Sequence, residues 1–175
     1  MSSFRNKIQI ARATAPTWWI CGLWLLGAVI AQTTLTHYLR IRNVEPSLVL
    51  IAVIWYAIRV DSRNAAIFGL AAGLAEDIVS SSTGGAWTLS TTFAAIVASL
   101  ISRGFFADSI PLVAMITIVT TLARMLAFWI VMALQGYPGG LGGMHFHEAL
   151  IEAPYNAVAM TIVMLVARRF SARYA

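Results

Sequence analysis

Six apolar runs, separated by short polar or charged segments, occupy most of the 175-residue chain. A helix needs about 20 apolar residues to cross the roughly 30 Å of hydrocarbon in a bilayer, so six spans would use almost the whole chain. Charged residues make up only 11% of the sequence, whereas an average soluble domain has about 25%. The sequence therefore predicts an all-α, polytopic integral membrane protein with about six transmembrane helices in one compact bundle.

The six predicted spans differ in length, and the second and third are shorter than an upright helix across the bilayer requires. A re-entrant hairpin would bury the charged turn at residues 59–63, where each charge costs about 2.5 kcal/mol or more, so two short spans with local bilayer thinning are favoured. The glycine-rich residues 136–143 are predicted to form a loop before the last span. The predicted spans are residues 17–38, 46–58, 64–79, 86–101, 110–134 and 154–166.

We expect a single transmembrane domain over residues 1–175. Residues 1–16 would form a cytoplasmic N-terminal segment, residues 17–167 the helical bundle and residues 168–175 a basic cytoplasmic tail. A cleaved signal peptide is the alternative for the first run, because Val29–Ile30–Ala31 makes a passable peptidase site after basic residues. The apolar stretch continues past that site as a full-length span, which favours a retained helix.

Basic residues outnumber acidic ones, with twelve Lys and Arg against seven Asp and Glu. They lie between the apolar runs and at the termini rather than in a stripe, so they indicate membrane orientation and no nucleic-acid partner. Cytoplasmic loops carry the excess of Lys and Arg, which predicts a multi-pass membrane protein with both termini in the cytoplasm. The outer side then holds only Arg40 and Arg42. The inner side holds Arg5, Lys7, Arg12, Arg59, Arg63, Arg103, Arg168, Arg169 and Arg173.

Three charged residues fall inside predicted spans, where they are costly unless paired or hydrated. Asp77 lies 77 − 64 = 13 residues along the third span and Arg124 lies 124 − 110 = 14 residues along the fifth. At 1.5 Å per residue, both lie about 20 Å from the inner surface. We therefore hypothesise an ion pair between Arg124 and either Asp77 or Glu76 near the outer leaflet. Separate snorkelling of each side chain to the interface is the alternative.

A GxxxG step on the third span, Gly69 and Gly73, would let a second helix approach its backbone closely. Internal packing and a partner-protein interface are the two interpretations. Similar small-residue steps at Gly27 and Ala31 and at 123 and 127 make the signal common.

His145, His147, Glu148 and Glu152 lie together in the predicted outer loop. They match no recognised metal-site motif, so the wet face of a short interfacial helix is the favoured interpretation and no metal is expected. The sequence contains no HExxH, GxSxG or P-loop motif, and its one cysteine, Cys21, cannot form an internal disulfide. We therefore expect neither enzymatic activity nor a cofactor.

Three stretches together resemble MreD, the small membrane protein family of the bacterial rod-shape system. They are Glu45-Pro46-Ser47-Leu48-Val49-Leu50 leading to Tyr56-Ala57-Ile58-Arg59, then the run from Gly69 and Gly73 to Glu76 and Asp77, and finally Glu152-Ala153-Pro154-Tyr155-Asn156-Ala157. Ser47 departs from the acidic residue that often follows the family proline, and Glu76 is an added carboxylate.

The resemblance implies a non-enzymatic scaffold that binds MreC and helps couple it to the elongation synthase, made of RodA and its transpeptidase, and to cytoplasmic MreB. Its partners would be met through helix faces and outer loops within the lipid bilayer. The positions that we expect to serve shape and partner binding are Pro46, Gly69, Gly73, Glu76, Asp77, Arg124, Tyr155 and Asn156.

The alternative function is the substrate-binding S component of an energy-coupling-factor vitamin transporter, which is similar in size and helix number. Gly27 and Ala31 could then meet the coupling subunit. Arg124, Asp77, Trp87 and residues 37–43 would line a pocket open to the outside.

Overall fold

The fold is given by a computed structural model that describes residues 18–35, 38, 40, 44–80, 83–103, 109–139 and 142–171. These residues form six α-helices and no strand, which confirms the all-α prediction for the described part of the chain. The helices are α1 (Trp18–Leu35), α2 (Leu48–Ala57), α3 (Ser62–Ser80), α4 (Ala86–Ser102), α5 (Ile110–Leu134) and α6 (Gly142–Ser171). The predicted N-terminal segment 1–16, the tail beyond residue 171, and Arg42 lie outside the described residues.

Helix α2 lies at the centre of the structure and contacts all five other helices. It begins after Ser47, whose Oγ accepts a hydrogen bond of 3.3 Å from the N–H of Leu50 as an N-cap. Seven of its ten residues are buried. Ten residues extend about 15 Å, half the hydrocarbon thickness of a bilayer. The neighbouring helices therefore cover the apolar side chains of this short helix.

Helices α3 and α4 pack closely through the two predicted glycines. A Cβ on Gly69 would lie 2.7 Å from the Cβ of Ala95, and one on Gly73 would lie 2.5 Å from the Cα of Thr88. No ordinary side chain fits at these distances, so the GxxxG step serves internal packing. A Cβ on Gly27, by contrast, would meet nothing within 4 Å.

Helix α6 differs from its prediction, because it begins at Gly142 and runs through Pro154 rather than starting there. The predicted loop thus loses residues 142 and 143 to the helix. A proline in a helix lacks one N–H, but transmembrane helices tolerate it where packing compensates. The compensation here is a buried face that continues at helical spacing on both sides of the proline. That face consists of Ala149, Ala153, Ala157, Met160 and Met164.

Among the described residues, two helical segments are long and apolar enough to cross a membrane, Ile110–Leu134 and His145–Arg169. The first is helix α5, which has its predicted bounds and the expected Pro111 in its first turn. Trp19–Leu35, Leu48–Ala57 and Ala86–Ser102 are shorter apolar helices. Six membrane crossings therefore remain a prediction.

Many large apolar side chains are exposed on the helices, and the apolar core encloses a group of polar side chains. Large apolar side chains such as Ile78 and Leu134 are 75% and 83% exposed, while eleven polar or charged side chains of the described residues are buried. Large exposed apolar surfaces in a soluble monomer are rare, and buried polar side chains are the usual arrangement where lipid is the solvent.

Hydrogen bonds join helix ends that carry basic residues. Arg103 Nη2 donates to Ser62 Oγ at 2.9 Å, which links the end of α4 to the start of α3. Arg59 Nη2 donates to the Sδ of Met164 at 3.7 Å, which links the end of α2 to the C-terminal half of α6. The antiparallel order of these helices thus collects arginines at one end of the structure.

Candidate functional site

A hydrogen-bonded group of polar side chains lies inside the structure and joins five elements of the fold. We call it the central network. Its members come from the turn before α2 and from helices α3, α4, α5 and α6. They are Ser47, Glu76, Thr91, Thr121, Arg124, Glu152 and Asn156.

The ion pair that the sequence predicted forms between Arg124 and Glu76. Arg124 Nη2 lies 2.7 Å from Glu76 Oε1, and the side chains are only 3% and 6% exposed. Thr91 Oγ1 donates to the other carboxylate oxygen at 2.8 Å, and Arg124 Nη1 donates to Ser47 Oγ at 2.7 Å. A buried ion pair is tolerated when further hydrogen bonds reach both charged groups, and here they reach the carboxylate and two of the three guanidinium nitrogens.

Aromatic rings support the guanidinium from one side. The Cζ of Arg124 lies 4.5 Å from the centroid of the Trp87 ring, a cation–π arrangement that gains strength when it is desolvated. Trp87 is stacked in turn on Phe128, with 4.1 Å between ring centroids. The Nε of Arg124 has no hydrogen-bond partner among the described residues. The position of the guanidinium is therefore set by the Trp87 ring on one face and by Ser47 and Glu76 at its ends.

Asn156 joins helix α6 to the start of α2, and it is fully buried. Its Oδ1 accepts from the N–H of Ser47 at 2.9 Å, while its Nδ2 donates to Glu152 Oε1 at 3.0 Å and to Thr121 Oγ1 at 3.3 Å. Pro46, buried directly before Ser47, and Tyr155, half-buried beside Asn156, flank this junction. The two predicted motifs at residues 46 and 156 are thus brought together.

Asp77 does not pair with Arg124 and instead caps helix α4. Its carboxylate accepts hydrogen bonds from the N–H groups of Trp87 at 3.2 Å and Thr88 at 2.8 Å, and from the hydroxyl of Thr83 at 2.6 Å. Gly85, the residue before α4, supplies no side-chain cap. A carboxylate from α3 therefore satisfies the free N–H groups at the start of α4.

A cavity of about 210 Å³ adjoins the central network. Arg124 and Trp87, which the transporter interpretation placed in a pocket, line it, whereas residues 37, 39 and 41–43 lie outside the described residues. The complete lining is Val29, Gln32, Thr33, Glu45, Pro46, Ser47, Val49, Glu76, Val79, Ser80, Trp87, Arg124 and Glu152.

The predicted short interfacial helix around His145 is instead the first part of α6. His145 Nδ1 lies 3.4 Å from Glu148 Oε2, and both side chains are exposed. Within the described ranges, no three His, Cys, Asp or Glu side chains are arranged to hold a metal ion. Glu152, grouped with these residues by sequence, belongs to the central network.

Sequence reasoning did not identify the hydroxyl groups of the network. A spacing signal was present, because Thr117, Thr120, Thr121 and Arg124 follow one another at helical intervals on one face of α5, and all are buried. Such a polar stripe on an otherwise apolar helix indicates the side that faces the protein interior.

Comparisons with known proteins agree with the motif resemblance. No curated protein and no solved structure matches the chain. The sequence profile of a family described as "rod shape-determining protein MreD" matches residues 13–171, nearly the whole chain. The transporter alternative receives no support from these comparisons. The chain therefore belongs to the MreD family of rod shape-determining membrane proteins.

Proposed function

We propose that this chain is a non-enzymatic, multi-pass scaffold of the bacterial inner membrane that binds MreC and helps to regulate peptidoglycan synthesis during elongation. Family membership over residues 13–171 supports a role in rod-shape determination. RodA with its transpeptidase and MreB are the further partners in this proposal.

The observation that carries the scaffold proposal is that the polar side chains bond to one another in the protein interior. Glu76, Arg124 and Asn156 are buried and bonded within the central network, and Gly69 and Gly73 lie against α4. These residues determine the shape that a partner meets without being available to touch it. Partner contact then falls to exposed helix surfaces, where association in lipid depends on close packing.

The proposed topology has both termini in the cytoplasm. Arg59 and Arg103 stand at the ends of α2 and α4, and Arg168 and Arg169 lie in the last turn of α6. Their collection at one end supports a cytoplasmic location for that end, because cytoplasmic loops carry the basic residues.

Co-purification tests MreC binding. The tagged chain would be co-expressed with MreC, extracted in mild detergent and assayed for the ratio of the two proteins. We expect MreC to be retained, and the Glu148→Gln variant, altered at an exposed side chain of α6, to retain it equally. Absence of MreC from a wild-type preparation that melts cooperatively would contradict the proposal.

Bulky substitutions at exposed positions would locate the helix surface that contacts MreC. Each change adds a large side chain to one outward helix surface without disturbing the interior. We expect one surface to lose MreC while the melting temperature stays at the wild-type value. The set is Leu26→Trp, Ile78→Trp, Leu100→Trp, Leu126→Trp and Ile162→Trp, one for each of the five helices that surround α2.

A further inference from the structure

The cavity beside the central network contains more negative than positive charge. Its lining includes the carboxylates of Glu45, Glu76 and Glu152 but only one guanidinium, that of Arg124. Glu76 is paired with Arg124 at 2.7 Å, and Glu45 is paired with Arg40 at 2.9 Å. One carboxylate of the three is therefore left for another counter-charge.

Glu152 is that carboxylate. Its Oε1 accepts a hydrogen bond from the neutral amide of Asn156 at 3.0 Å, and no cation of the described residues lies within ion-pair distance of it. A carboxylate in a low-dielectric interior is costly unless a cation or a proton neutralises it. Glu152 therefore has to be neutralised either by a proton or by a cation that enters the cavity.

The space beside Glu152 is large enough for more than a proton. A protein cavity of about 150 Å³ can hold a benzene molecule, and this one measures about 210 Å³. Gln32 and Thr33 add side-chain oxygens to the lining, whereas Ser47 Oγ already accepts hydrogen bonds from Leu50 and Arg124. A bare divalent cation is a poorer match, because it requires about six oxygen ligands in a closed shell. An ammonium group needs only three acceptors and leaves room for an attached organic chain.

We propose that this cavity binds the ammonium group of an organic amine, with Glu152 as its counter-charge. The amine could be a free small molecule or the headgroup of an aminophospholipid, since both present the same ammonium chemistry. This binding site is additional to the scaffold function and does not require MreC.

The first experiment measures the melting temperature of the purified full-length protein in detergent and phosphate buffer. Propylammonium chloride is compared with n-propanol plus KCl at equal ionic strength. At ten times its dissociation constant, the amine is expected to raise the melting temperature by about 3 to 6 °C, because it binds the folded state. No stabilisation by propylammonium, or an equal effect of the neutral alcohol, would overturn the proposal.

Two variants test the site by different means. Glu152→Gln removes the counter-charge, and its matched control is Glu148→Gln, one turn earlier on α6 with an exposed side chain. Val29→Trp fills the cavity without changing its charge. We expect both cavity variants to lose the amine effect and the control to keep it. An effect that persists in both cavity variants would place the amine elsewhere and refute the assignment. If Glu152→Gln does not fold, the proposal is tested by two results: the loss of the amine effect in Val29→Trp, and the difference between propylammonium and n-propanol with the wild-type protein.

Nanodiscs then distinguish the two sources of the amine. In phosphatidylglycerol discs, propylammonium should stabilise the protein as it does in detergent. If a lipid headgroup is the occupant, phosphatidylethanolamine discs will raise the melting temperature themselves and abolish the further effect of propylammonium. If the occupant is a free amine, the effect will be equal in both lipids. Loss of the effect in both lipids would contradict the proposal. MreC co-purification is measured separately for Glu152→Gln. The scaffold proposal and the amine-site proposal can therefore each fail without the other.

Discussion

At the scale of single residues, the central feature is a pair of opposite charges buried together in an apolar protein. Arg124 and Glu76 are stable there because their hydrogen bonds extend to Ser47 and Thr91, and because an indole ring covers the guanidinium. The similar distances of Arg124 and the carboxylates from the inner membrane surface, counted along their helices, predicted that Arg124 would pair with one of them. The choice between adjacent carboxylates could not be predicted, because neighbouring residues on a helix point about 100° apart and the rotation of α3 is set by its packing.

A double-mutant cycle tests this pairing. Arg124→Met alone leaves Glu76 as an unpaired buried charge and should destabilise the protein by about 3–5 kcal/mol. Glu76→Gln combined with Arg124→Met should cost clearly less than the sum of the single changes, with a coupling of about 0.5–3 kcal/mol. Unfolding free energies in detergent would supply the values.

The matched comparison is Asp77→Asn with Arg124→Met. Asp77 caps α4 and makes no ion pair with Arg124 in the described structure, although both contact Trp87, so we expect weaker coupling here than for the Glu76 pair. Stronger coupling of Arg124 to position 77 than to position 76 would show that the ion pair has been assigned to the wrong carboxylate.

At the scale of elements, α3 and α4 form the tightest helix pair, and glycines allow it. Gly73→Ala would place a Cβ 2.5 Å from the Cα of Thr88, so one helix must move. We expect a loss of about 1–3 kcal/mol from overpacking. Thermal unfolding of the purified variant provides the measurement.

Gly27→Ala is the control for that change, because its Cβ would enter open space. Alanine is the better helix former by about 0.5–1 kcal/mol, so this variant should melt at or slightly above the wild-type temperature. Equal destabilisation at both positions would mean that Gly73 has no special close contact.

The cap on α4 gives a second test at this scale. Both carboxylate oxygens of Asp77 accept backbone N–H groups of α4, and Asp77→Asn replaces one of them with an NH₂ group, so it should cost about 0.5–1.5 kcal/mol. Asp61→Asn is the comparison, because the Asp61 carboxylate accepts from the side chain of Asn64 at 2.7 Å rather than from backbone N–H groups at a helix start. A melting temperature unchanged by Asp77→Asn would exclude the capping role.

Sequence reasoning predicted some elements well and others poorly, for physical reasons. The bounds of α5 follow from an uninterrupted apolar run with a proline in its first turn. Helix α6 was placed too late, because Pro154 is a helix breaker by local preference but lies on a helix whose buried face continues past it. The enclosure of α2 by five helices depends on tertiary contacts that its own ten residues do not encode.

At the scale of the whole molecule, large apolar side chains are exposed on the helix surfaces, and a polar network is buried within an otherwise apolar core. That arrangement, with a family profile matched over residues 13–171, supports a membrane scaffold whose outer helix surfaces meet its partners. The resemblance identified the family from three short motifs, and the structure brings two of them together at Ser47 and Asn156. The cavity beside this junction could not be predicted, because its volume depends on how six helices converge.

The most direct test of the membrane arrangement is a pair of reporter fusions on either side of α6. Alkaline phosphatase joined after Gly139 should be active, since the proposed topology places that loop outside the cytoplasm. The same enzyme joined after Ala175 should be inactive, while a fluorescent protein at that position should fluoresce. Active phosphatase at residue 175, or both fusion points on one side of the membrane, would contradict the account.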